Sequence, residues 1–332
     1  MYQRLGVVKL KSGEAVEAGV VRGPDPDWAQ RLVKLLWHKG DPWNWQNAQV
    51  LERDLGLEAN FYVLHRDGDP FANLMTIEVA GVGLFGHVWT QPADRQQGAS
   101  SQLMRLQMQD FVARGGQALF LHTEHAGVAF KMYANFGFVG LEPESGAMAY
   151  YTKPQAEFEA AYFAPGAVEI QPLTWRHWPA ATPLFTLDAP GQVRCAPLHL
   201  IGRDITEGPF LPALLDAAAR QAQGQASAVL ALVNPSTTAV VGLAAWSWHP
   251  IWPDTCLVDC YCHPAYWEHG AGLLNALQLP KADRTVAYID NDNAAKVSLF
   301  AEAGFKTVAT LPAWIAANVA KTGWVDVNVV TK

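Results

Sequence analysis

The chain has 332 residues, half of them hydrophobic, which exceeds one ordinary core and is typical of two domains of about 150 residues each. Its formal net charge is −7 and no block of Lys and Arg stands out, which argues against nucleic acid as the main partner and mildly favours a neutral or cationic substrate. Because the sequence shows neither a membrane-length apolar run nor a secretory signal, we expect a cytoplasmic protein without membrane contact.

The first half predicts a strand, a helix, a meander of strands and then alternating helices and strands. Asp27 is expected to cap the first helix, and Gly40 is expected to stop it. The next helix spans 101–116, with a buried stripe of Met104, Met108, Phe111 and Val112, and the last spans 127–136. Alternating or apolar runs bounded by turn residues predict strands over 17–21, 61–65, 73–80, 83–90, 117–123 and 146–152.

The second half repeats this order more faintly. Strand-like runs at 227–233, 239–248 and 256–263 precede a Gly-containing turn, a strand and a helix, as in the first half. Gly98 precedes Gly137 by 39 residues, Gly270 precedes Gly304 by 34, and each later Gly is followed by Phe. The polar, Pro-bounded segment between the halves predicts a linker, giving domains over 1–153 and 167–332 with the linker at 154–166.

The four cysteines predict no metal site. Cys256, Cys260 and Cys262 are separated by even numbers of positions, which would put them on one face of a strand, and no second Cys or His cluster completes a zinc spacing. We expect them, with Cys195, to be buried thiols.

The stretch RQQGASS (95–101) predicts an anion-binding turn. A Gly-rich turn that leads into a helix leaves the first backbone N–H groups of that helix unpaired, and those donors suit an anion. Gly98 allows close approach of the backbone, and Arg95 adds a positive charge, so a diphosphate is the natural occupant. By itself such a turn is more often a plain loop.

The same stretch resembles the Q/R-x-x-G-x-G/A signature of the GCN5-related N-acetyltransferases (GNAT), with Ser100 where Gly or Ala is usual. A later helix also resembles that family, through Ala129, Tyr133, Gly137 and Phe138. The resemblance covers nearly all of 15–152 and, more faintly, 167–320. It implies an α/β fold of two tandem GNAT-like domains, each a mixed, mostly antiparallel twisted sheet flanked by helices.

The resemblance further implies that acetyl-CoA is the acyl donor and that strands 83–90 and 117–123 splay into a V that holds pantetheine. Tyr133 would protonate the leaving thiolate, although a helix Tyr that packs its ring and turns its hydroxyl to water is the alternative. The residues implied to contact the cofactor are Val88, Trp89, Thr90, Arg95, Gln96, Gln97, Gly98, Ala99, Ser100, Ser101 and Tyr133.

Several side chains are candidates for the base that deprotonates the attacking amine. Strand alternation would place Phe85, His87 and Trp89 on one face unless a bulge intervenes, so spacing does not select among the candidates. These candidates are Glu78, His87, His122, Glu124 and His125.

The segment WHKGDPWNWQ (37–46) carries three Trp residues and a His. Trp is common both in pockets and in contacts between packed surfaces, so Trp37, Trp43 and Trp45 either line an acceptor pocket or fill the space between domains.

The second copy is expected to be degenerate. Trp267 replaces the basic residue, Glu268 would place a carboxylate beside any phosphate, and Phe300 stands in the position of Tyr133. Gly270 and Gly272 are expected to preserve the shape of the turn.

The sequence therefore predicts an acyl-CoA-dependent N-acyltransferase, most simply an N-acetyltransferase in which an amine attacks acetyl-CoA directly. The acceptor would be a small-molecule or peptide amine, with no nucleic acid, membrane or metal involved. The alternative is a noncatalytic acyl-CoA-binding or partner-recruiting module. We expect a monomer whose tandem domains imitate a dimer, or a homodimer.

Overall fold

Two mixed β-sheets organise the chain, and the computed structural model describes all residues from 1 to 332. The chain divides into an N-terminal unit, Met1–Val139 with Met148–Pro154, and a C-terminal unit, Gly140–Ala147 with Gln155–Lys332. Both sheets are mostly antiparallel, each contains a parallel pair, and helices flank them, so the predicted fold class is confirmed. No helix is both long enough and apolar enough to cross a lipid bilayer.

The first sheet has eight strands in the order β1-β2-β3-β4-β5-β6-β8-β7. Its strands are β1 (Tyr2–Lys9), β2 (Ala15–Arg22), β3 (Glu58–Arg66), β4 (Asp69–Val79), β5 (Val82–Thr90), β6 (Ala118–His122), β7 (Val139–Gly140) and β8 (Ala147–Tyr151). The helices among them are α1 (Pro26–Leu36), α2 (Trp43–Glu52), α3 (Ala99–Ala113) and α4 (Val128–Ala134), with 3₁₀ helices at Trp37–Lys39 and Pro92–Asp94.

The main core of the N-terminal unit lies between this sheet and helices α3 and α4. Met104, Met108 and Phe111 of α3 are buried there, as their spacing predicted. Val112, which was predicted to share that stripe, is 52% exposed because it lies one further residue, about 100°, around the helix.

Helix α1 begins two residues earlier than predicted. Its N-cap is Asp25, whose carboxylate accepts a hydrogen bond from the Trp28 backbone N–H at 3.2 Å, and Asp27 lies inside the first turn. The reason is Pro26, whose fixed φ suits the first helical position.

The second sheet has seven strands in the order β16-β17-β15-β14-β13-β12-β9. The strands of the C-terminal unit are β9 (Glu169–Pro172), β10 (Val193–Cys195), β11 (Leu200–Ile201), β12 (Val229–Val233), β13 (Val240–Trp248), β14 (Thr255–Cys262), β15 (Arg284–Asp290), β16 (Lys306–Ala316) and β17 (Trp324–Thr331). Its helices are α5 (Gln155–Tyr162), α6 (His177–Ala180), α7 (Thr182–Thr186), α8 (Glu207–Ala222), α9 (Gly270–Ala276) and α10 (Ala294–Glu302), with 3₁₀ helices at Ala196–Leu198 and Pro264–His269.

The predicted linker segment contains helix α5. Tyr162 of this helix is buried, and its hydroxyl donates to the Ala180 carbonyl at 2.8 Å. The cysteines Cys256, Cys260 and Cys262 lie on β14, and they and Cys195 are buried free thiols.

Candidate functional site

Strands β5 and β6 of the N-terminal unit diverge after a short parallel ladder. Their register pairs are Val82↔Ala118, Gly83↔Leu119 and Leu84↔Phe120, and none follows. Strand β5 nevertheless continues to Thr90 and β6 to His122. The edge of β5 over 85–90 therefore has no partner from β6, and its backbone polar groups can pair with an extended ligand.

A β-bulge lies at the point where the strands diverge. Asn73 of β4 pairs with Trp89 of β5, and Met75 pairs with Gly86. One residue of β4, Leu74, therefore lies opposite two residues of β5, His87 and Val88. His87 adopts a left-handed φ of 53°, and its carbonyl accepts from Asn73 Nδ2 at 3.0 Å. The bulge thus turns His87 out of the regular strand geometry.

This bulge corrects the predicted alternation. Val88 packs against the core cluster that contains Phe85, whereas simple alternation would have placed those two side chains on opposite faces. The ring of His87 instead meets helix α2, through Asn47 and Trp43. One inserted residue moves the side chains that follow it to the opposite face of the sheet, because side chains alternate with a period of two.

The predicted anion-binding turn lies between the end of β5 and the start of α3. Gly98 is the N-cap of α3 with a left-handed φ of 82°, Gln96 is also left-handed at 62°, and no side chain caps this end of the helix. The Ser100 hydroxyl lies 3.2 Å from the Thr90 hydroxyl, which joins the turn to the end of β5. The first N–H groups of α3 therefore lie at the open end of the divergent strands.

Two cationic side chains lie beside this turn. Arg95 stacks over the Trp89 ring at 4.6 Å, and its Nε donates to the Thr90 carbonyl at 3.2 Å. Lys11 was not singled out by sequence: its backbone N–H donates to the Gln97 carbonyl, and its Cε would lie 3.8 Å from a Cβ placed on Gly98. Because Lys11 reaches the turn from the β1–β2 connection, nothing in the local pattern could have indicated it.

The chain is similar to solved structures of GNAT-family acetyltransferases. An acetyltransferase of this family from Bacillus anthracis shares 13% identity over 50% of this chain and 95% of its own, with a TM-score of 0.35. An N-acetyltransferase from Staphylococcus aureus Mu50 shares 16% over 50% and 98%, with a TM-score of 0.37. The Salmonella typhimurium protein yncA, solved with its cofactor acetyl-CoA, shares 23% over 50% and 94%, with a TM-score of 0.35.

The predicted resemblance to GNAT proteins is confirmed. The similarity to these solved structures is a similarity of fold. No family model matches the sequence, and no curated protein matches it.

Tyr133 lies on α4 and is 7% exposed. Its ring meets Phe85 of β5 edge-on at 5.4 Å between centroids and packs against Phe138. The structure therefore places Tyr133 beside the strand that diverges, one residue beyond the last register pair of β5. Its role as an acid stays a prediction.

His87 lies at the bulge and is buried. Its Nδ1 is 3.0 Å from Asn47 Oδ1, and the Trp43 ring meets it edge-on at 5.4 Å. Burial, with smaller contributions from Lys39 and His38, lowers the pKa of His87 to about 3. At neutral pH the imidazole is therefore uncharged, and it is a weak base.

Glu78 is removed from the catalytic candidates by its position. It pairs with Gly83 at the closed end of the β5–β6 pair, and its carboxylate accepts two hydrogen bonds from Arg114, at 3.1 and 3.0 Å. Asn60 and Thr76 also donate to it. A fully buried carboxylate with this many donors has a structural role, since each donor offsets its desolvation. The sequence could not show this, because Arg114 is 36 residues away.

The other base candidates lie at the open end. His122 ends β6 and is exposed, and Glu124 is exposed in the following loop. The ring of His125 meets Phe130 edge-on at 5.0 Å. His122 and Glu124 thus remain candidates on the β6 side of the divergence.

The Trp-rich segment falls partly at this site. Trp43 contacts His87 as described, and the His38 ring stacks on Trp89 at 3.7 Å. Trp37 is instead 66% exposed. The rings of Trp43 and His38 therefore flank the far end of β5, and the acceptor-pocket interpretation stays a prediction.

The turn of the second copy differs from that of the first, contrary to the expectation that its shape is preserved. Gly270 is right-handed, with φ −59°, and the 3₁₀ helix Pro264–His269 runs directly into α9. The Gly270 N–H donates to the Trp267 carbonyl, so this donor is already used. A Cβ on Gly270 would lie 3.2 Å from Leu299, which shows that this glycine serves packing. Phe300 is buried against Phe305.

Strands β14 and β15 of the C-terminal unit also diverge, after Leu257↔Val286. Beyond that point the chain's own residues bridge them. Asp290 of β15 accepts from the backbone N–H groups of Gln192 and Val193, and Asp259 of β14 accepts from the Ala196 N–H at 2.8 Å.

A buried lysine completes this bridge. Lys296 Nζ lies 2.6 Å from Asp259 Oδ1 and donates to the Val193 carbonyl at 2.6 Å, and both charged side chains are fully buried. Side chains of β14 and β15 are thus engaged with β10 and its neighbours. The N-terminal unit has an open divergence, and the C-terminal unit has a bridged one.

Proposed function

We propose that the protein is an acyl-CoA-dependent N-acyltransferase whose active site lies in the N-terminal unit. The observation that supports this most directly is a combination: β5 leaves β6 after Leu84, and the uncapped, left-handed turn at Gly98 opens α3 at the end of that same strand. An extended chain that ends in phosphates matches both features, and acetyl-CoA is such a molecule.

The pantetheine arm would pair with the edge of β5 at Val88, Trp89 and Thr90. The diphosphate would accept hydrogen bonds from the turn and the first residues of α3, over 96–101, because these N–H groups point along the positive end of the helix dipole. Arg95 and Lys11 would supply the opposing charge.

The reaction would be direct acyl transfer. The nitrogen of an uncharged amine attacks the thioester carbonyl carbon, the C–N bond forms, the C–S bond breaks, and the acetyl group leaves CoA as an amide. Tyr133 would give its proton to the departing thiolate. The proton that the attacking nitrogen loses as the amide forms would pass to His122 or Glu124, which are exposed and can exchange protons with water.

A small-molecule or peptide amine is the proposed acceptor class. His87 would act as a neutral hydrogen-bond acceptor, because its lowered pKa makes it a poor general base.

A second candidate function is noncatalytic acyl-CoA binding. One observation favours it: Tyr133 is enclosed in aromatic packing, which a core residue also shows. Catalytic release of CoA with any amine would exclude a purely binding role.

The direct test is calorimetric titration of acetyl-CoA into the protein and into Gly98→Glu. The variant combines a carboxylate beside the phosphates with left-handed strain, so we expect affinity to fall on the order of 100-fold or more. Gly115→Glu is the matched control, since Gly115 has a φ of 80° in open space at the other end of α3. Equal binding by wild type and Gly98→Glu would refute the proposal.

A further inference from the structure

A cavity of about 440 Å³ lies in the C-terminal unit, between helix α8 and strands β12 and β13. Its volume falls within the range of small-molecule sites, about 300–1,000 Å³. Helix α8 lines it with residues at helical spacing, which places them along one stripe of the helix. These residues are Pro209, Pro212, Ala213, Asp216 and Arg220. None of the residues that line this cavity belongs to the N-terminal unit, which holds the proposed acyl-CoA site.

Most of the cavity wall is apolar. Pro197 and Val229 line it together with two indole rings of β13. These rings, of Trp246 and Trp248, belong to residues two positions apart on the strand, and they meet edge-on with centroids 6.0 Å apart. Trp248 is 50% exposed, although indole is a large apolar group. The cavity therefore offers an aromatic surface that an apolar ligand group can cover.

Two charged side chains of α8 supply the polar part of the wall. Arg220 Nε donates to Asp216 Oδ2 at 2.6 Å, and the guanidinium stacks over the Trp246 ring at 4.6 Å. These two contacts fix the plane of the guanidinium. Its two terminal nitrogens make no hydrogen bond with the protein, and neither does Asp216 Oδ1. The pair thus keeps N–H donors and a carboxylate oxygen, next to each other, for another molecule.

The charges of this pair restrict the ligand. A carboxylate alone would pair with Arg220 but lie near the like charge of Asp216, and an ammonium alone would have the reverse problem. A zwitterion pairs with both side chains, because its carboxylate accepts from the guanidinium and its ammonium donates to Asp216. A free α-amino acid carries both groups on one carbon, which suits two protein charges in direct contact. A peptide chain lacks this arrangement, since its two charged ends are far apart.

We propose that this cavity binds a free α-amino acid with an aromatic side chain. Arg220 would hold the carboxylate and Asp216 the ammonium. The aromatic ring would cover Trp248 and contact the proline rings of the wall. The site goes beyond the proposed acyl transfer, and its occupation requires neither acetyl-CoA nor turnover.

The first experiment measures which ligand groups the site recognises. L-Phenylalanine is titrated calorimetrically into the full chain without acetyl-CoA, and so are three analogues. 3-Phenylpropionate lacks the ammonium, 2-phenylethylamine lacks the carboxylate, and L-alanine lacks the ring. We expect each analogue to bind about tenfold more weakly or worse, because each leaves one part of the site without its partner. Binding of 3-phenylpropionate as tight as that of phenylalanine, or no saturable binding of phenylalanine, would overturn the proposal.

The second experiment locates the site, since phenylalanine is also an amine and could bind as an acceptor. Arg220→Met and Trp248→Ala should each weaken phenylalanine binding by about tenfold or more. Arg284→Met, at an exposed position of β15, and Trp314→Ala, at a position that is 63% exposed, are the matched controls and should leave it unchanged. Equal binding by wild type, Arg220→Met and Trp248→Ala would place phenylalanine elsewhere and overturn the proposal.

The third experiment separates recognition from structure. Asp216→Asn removes the negative charge and keeps the shape of the side chain. A purely structural Asp216 predicts the same change in affinity for every ligand. The proposal instead predicts that the preference for phenylalanine over 3-phenylpropionate falls by about tenfold or more, because the ammonium loses its partner and the carboxylate loses a like charge. Asp283→Asn, at an exposed position of the same unit, should keep the wild-type preference. An unchanged preference in Asp216→Asn would contradict the proposal.

Discussion

Single residues at the site owe their chemistry to burial. His87 and His199 both adopt a left-handed backbone, at φ 53° and 56°, but His87 is buried under α2 and His199 is exposed. The pKa of His87 falls to about 3, from an ordinary value of 6.5. The bulge therefore places in the core a side chain that resists protonation.

This lowered pKa predicts how stability depends on pH. Above pH 6.5 the imidazole is neutral in the folded and unfolded chains; below it, only the unfolded chain takes up the proton, so the free energy of unfolding falls until pH 3. By pH 4.5 the loss should reach on the order of 3 kcal/mol. His87→Asn should remove that part of the pH dependence, measured by urea unfolding between pH 4.5 and 7.5. His199→Asn, with the same substitution and backbone, should leave it intact; identical curves for both variants would contradict the burial of His87.

We expect removal of the Tyr133 hydroxyl to slow CoA release without weakening the binding of acetyl-CoA. Tyr133→Phe keeps the ring between Phe85 and Phe138 and removes only the proton that would reach the thiolate. We expect kcat for CoA release to fall about 100-fold or more, with an unchanged KM for acetyl-CoA. Tyr150→Phe is the control, since Tyr150 packs on the same Phe138. An unaltered kcat in Tyr133→Phe would assign the acid to another group.

At the scale of elements, the two divergent strand pairs differ in what occupies them. Beyond Leu84 the edge of β5 lacks a strand partner, whereas β14 and β15 are joined by β10 through Asp259, Asp290 and Lys296. The same local arrangement, a parallel strand pair that diverges, thus leaves one pair open and joins the other through side chains of the chain itself.

The bridge predicts a large stability effect in the C-terminal unit. Lys296→Met leaves Asp259 buried without its cation, which should cost about 3–5 kcal/mol of unfolding free energy. Adding Asp259→Leu should recover much of that loss, because an apolar pair replaces the ion pair. Arg4→Met, which breaks an exposed pair with Glu17, should cost less than about 1 kcal/mol. If Lys296→Met unfolded like Arg4→Met in urea, the buried pair would be disproved.

For the whole molecule, this asymmetry predicts one coenzyme per chain. Calorimetry should give a stoichiometry of one for acetyl-CoA. Gly272→Glu, at an open position of the second turn, should leave both affinity and stoichiometry unchanged, in contrast to Gly98→Glu. Two equivalents bound to the wild type, with one lost in Gly272→Glu, would show that the C-terminal unit also holds the coenzyme.

The sequence predicted most of what depends on neighbours along the chain. The strands of both meanders, helices α3 and α4 and the helix start at Gly98 follow from local periodicity and turn chemistry, and the structure has them within a few residues. It did not predict α2 as a helix, because Trp, Asn and Gln alternate there without an apolar stripe. Yet Gln46 and Asn47 lie one turn before Val50 and Leu51, and that spacing was the available signal for a polar buried face.

The sequence-based predictions that were wrong depend on contacts between residues far apart in the chain. Glu78 was a candidate base by sequence, but Arg114 and Asn60 donate hydrogen bonds to its carboxylate. Gly270 was expected to repeat the turn at Gly98, but it packs against Leu299. Neither partner is close in sequence.

The sequence alone determined the repeated α/β order and the turn at Gly98 that opens α3, because φ preferences and apolar periodicity act over a few residues. Only the tertiary structure decided that His87 turns into the α2 layer, that Glu78 is structural and that β10 bridges the second divergence. Those outcomes depend on which desolvated polar groups meet across long chain separations, and a buried group takes its charge and its partners from whatever folding brings beside it.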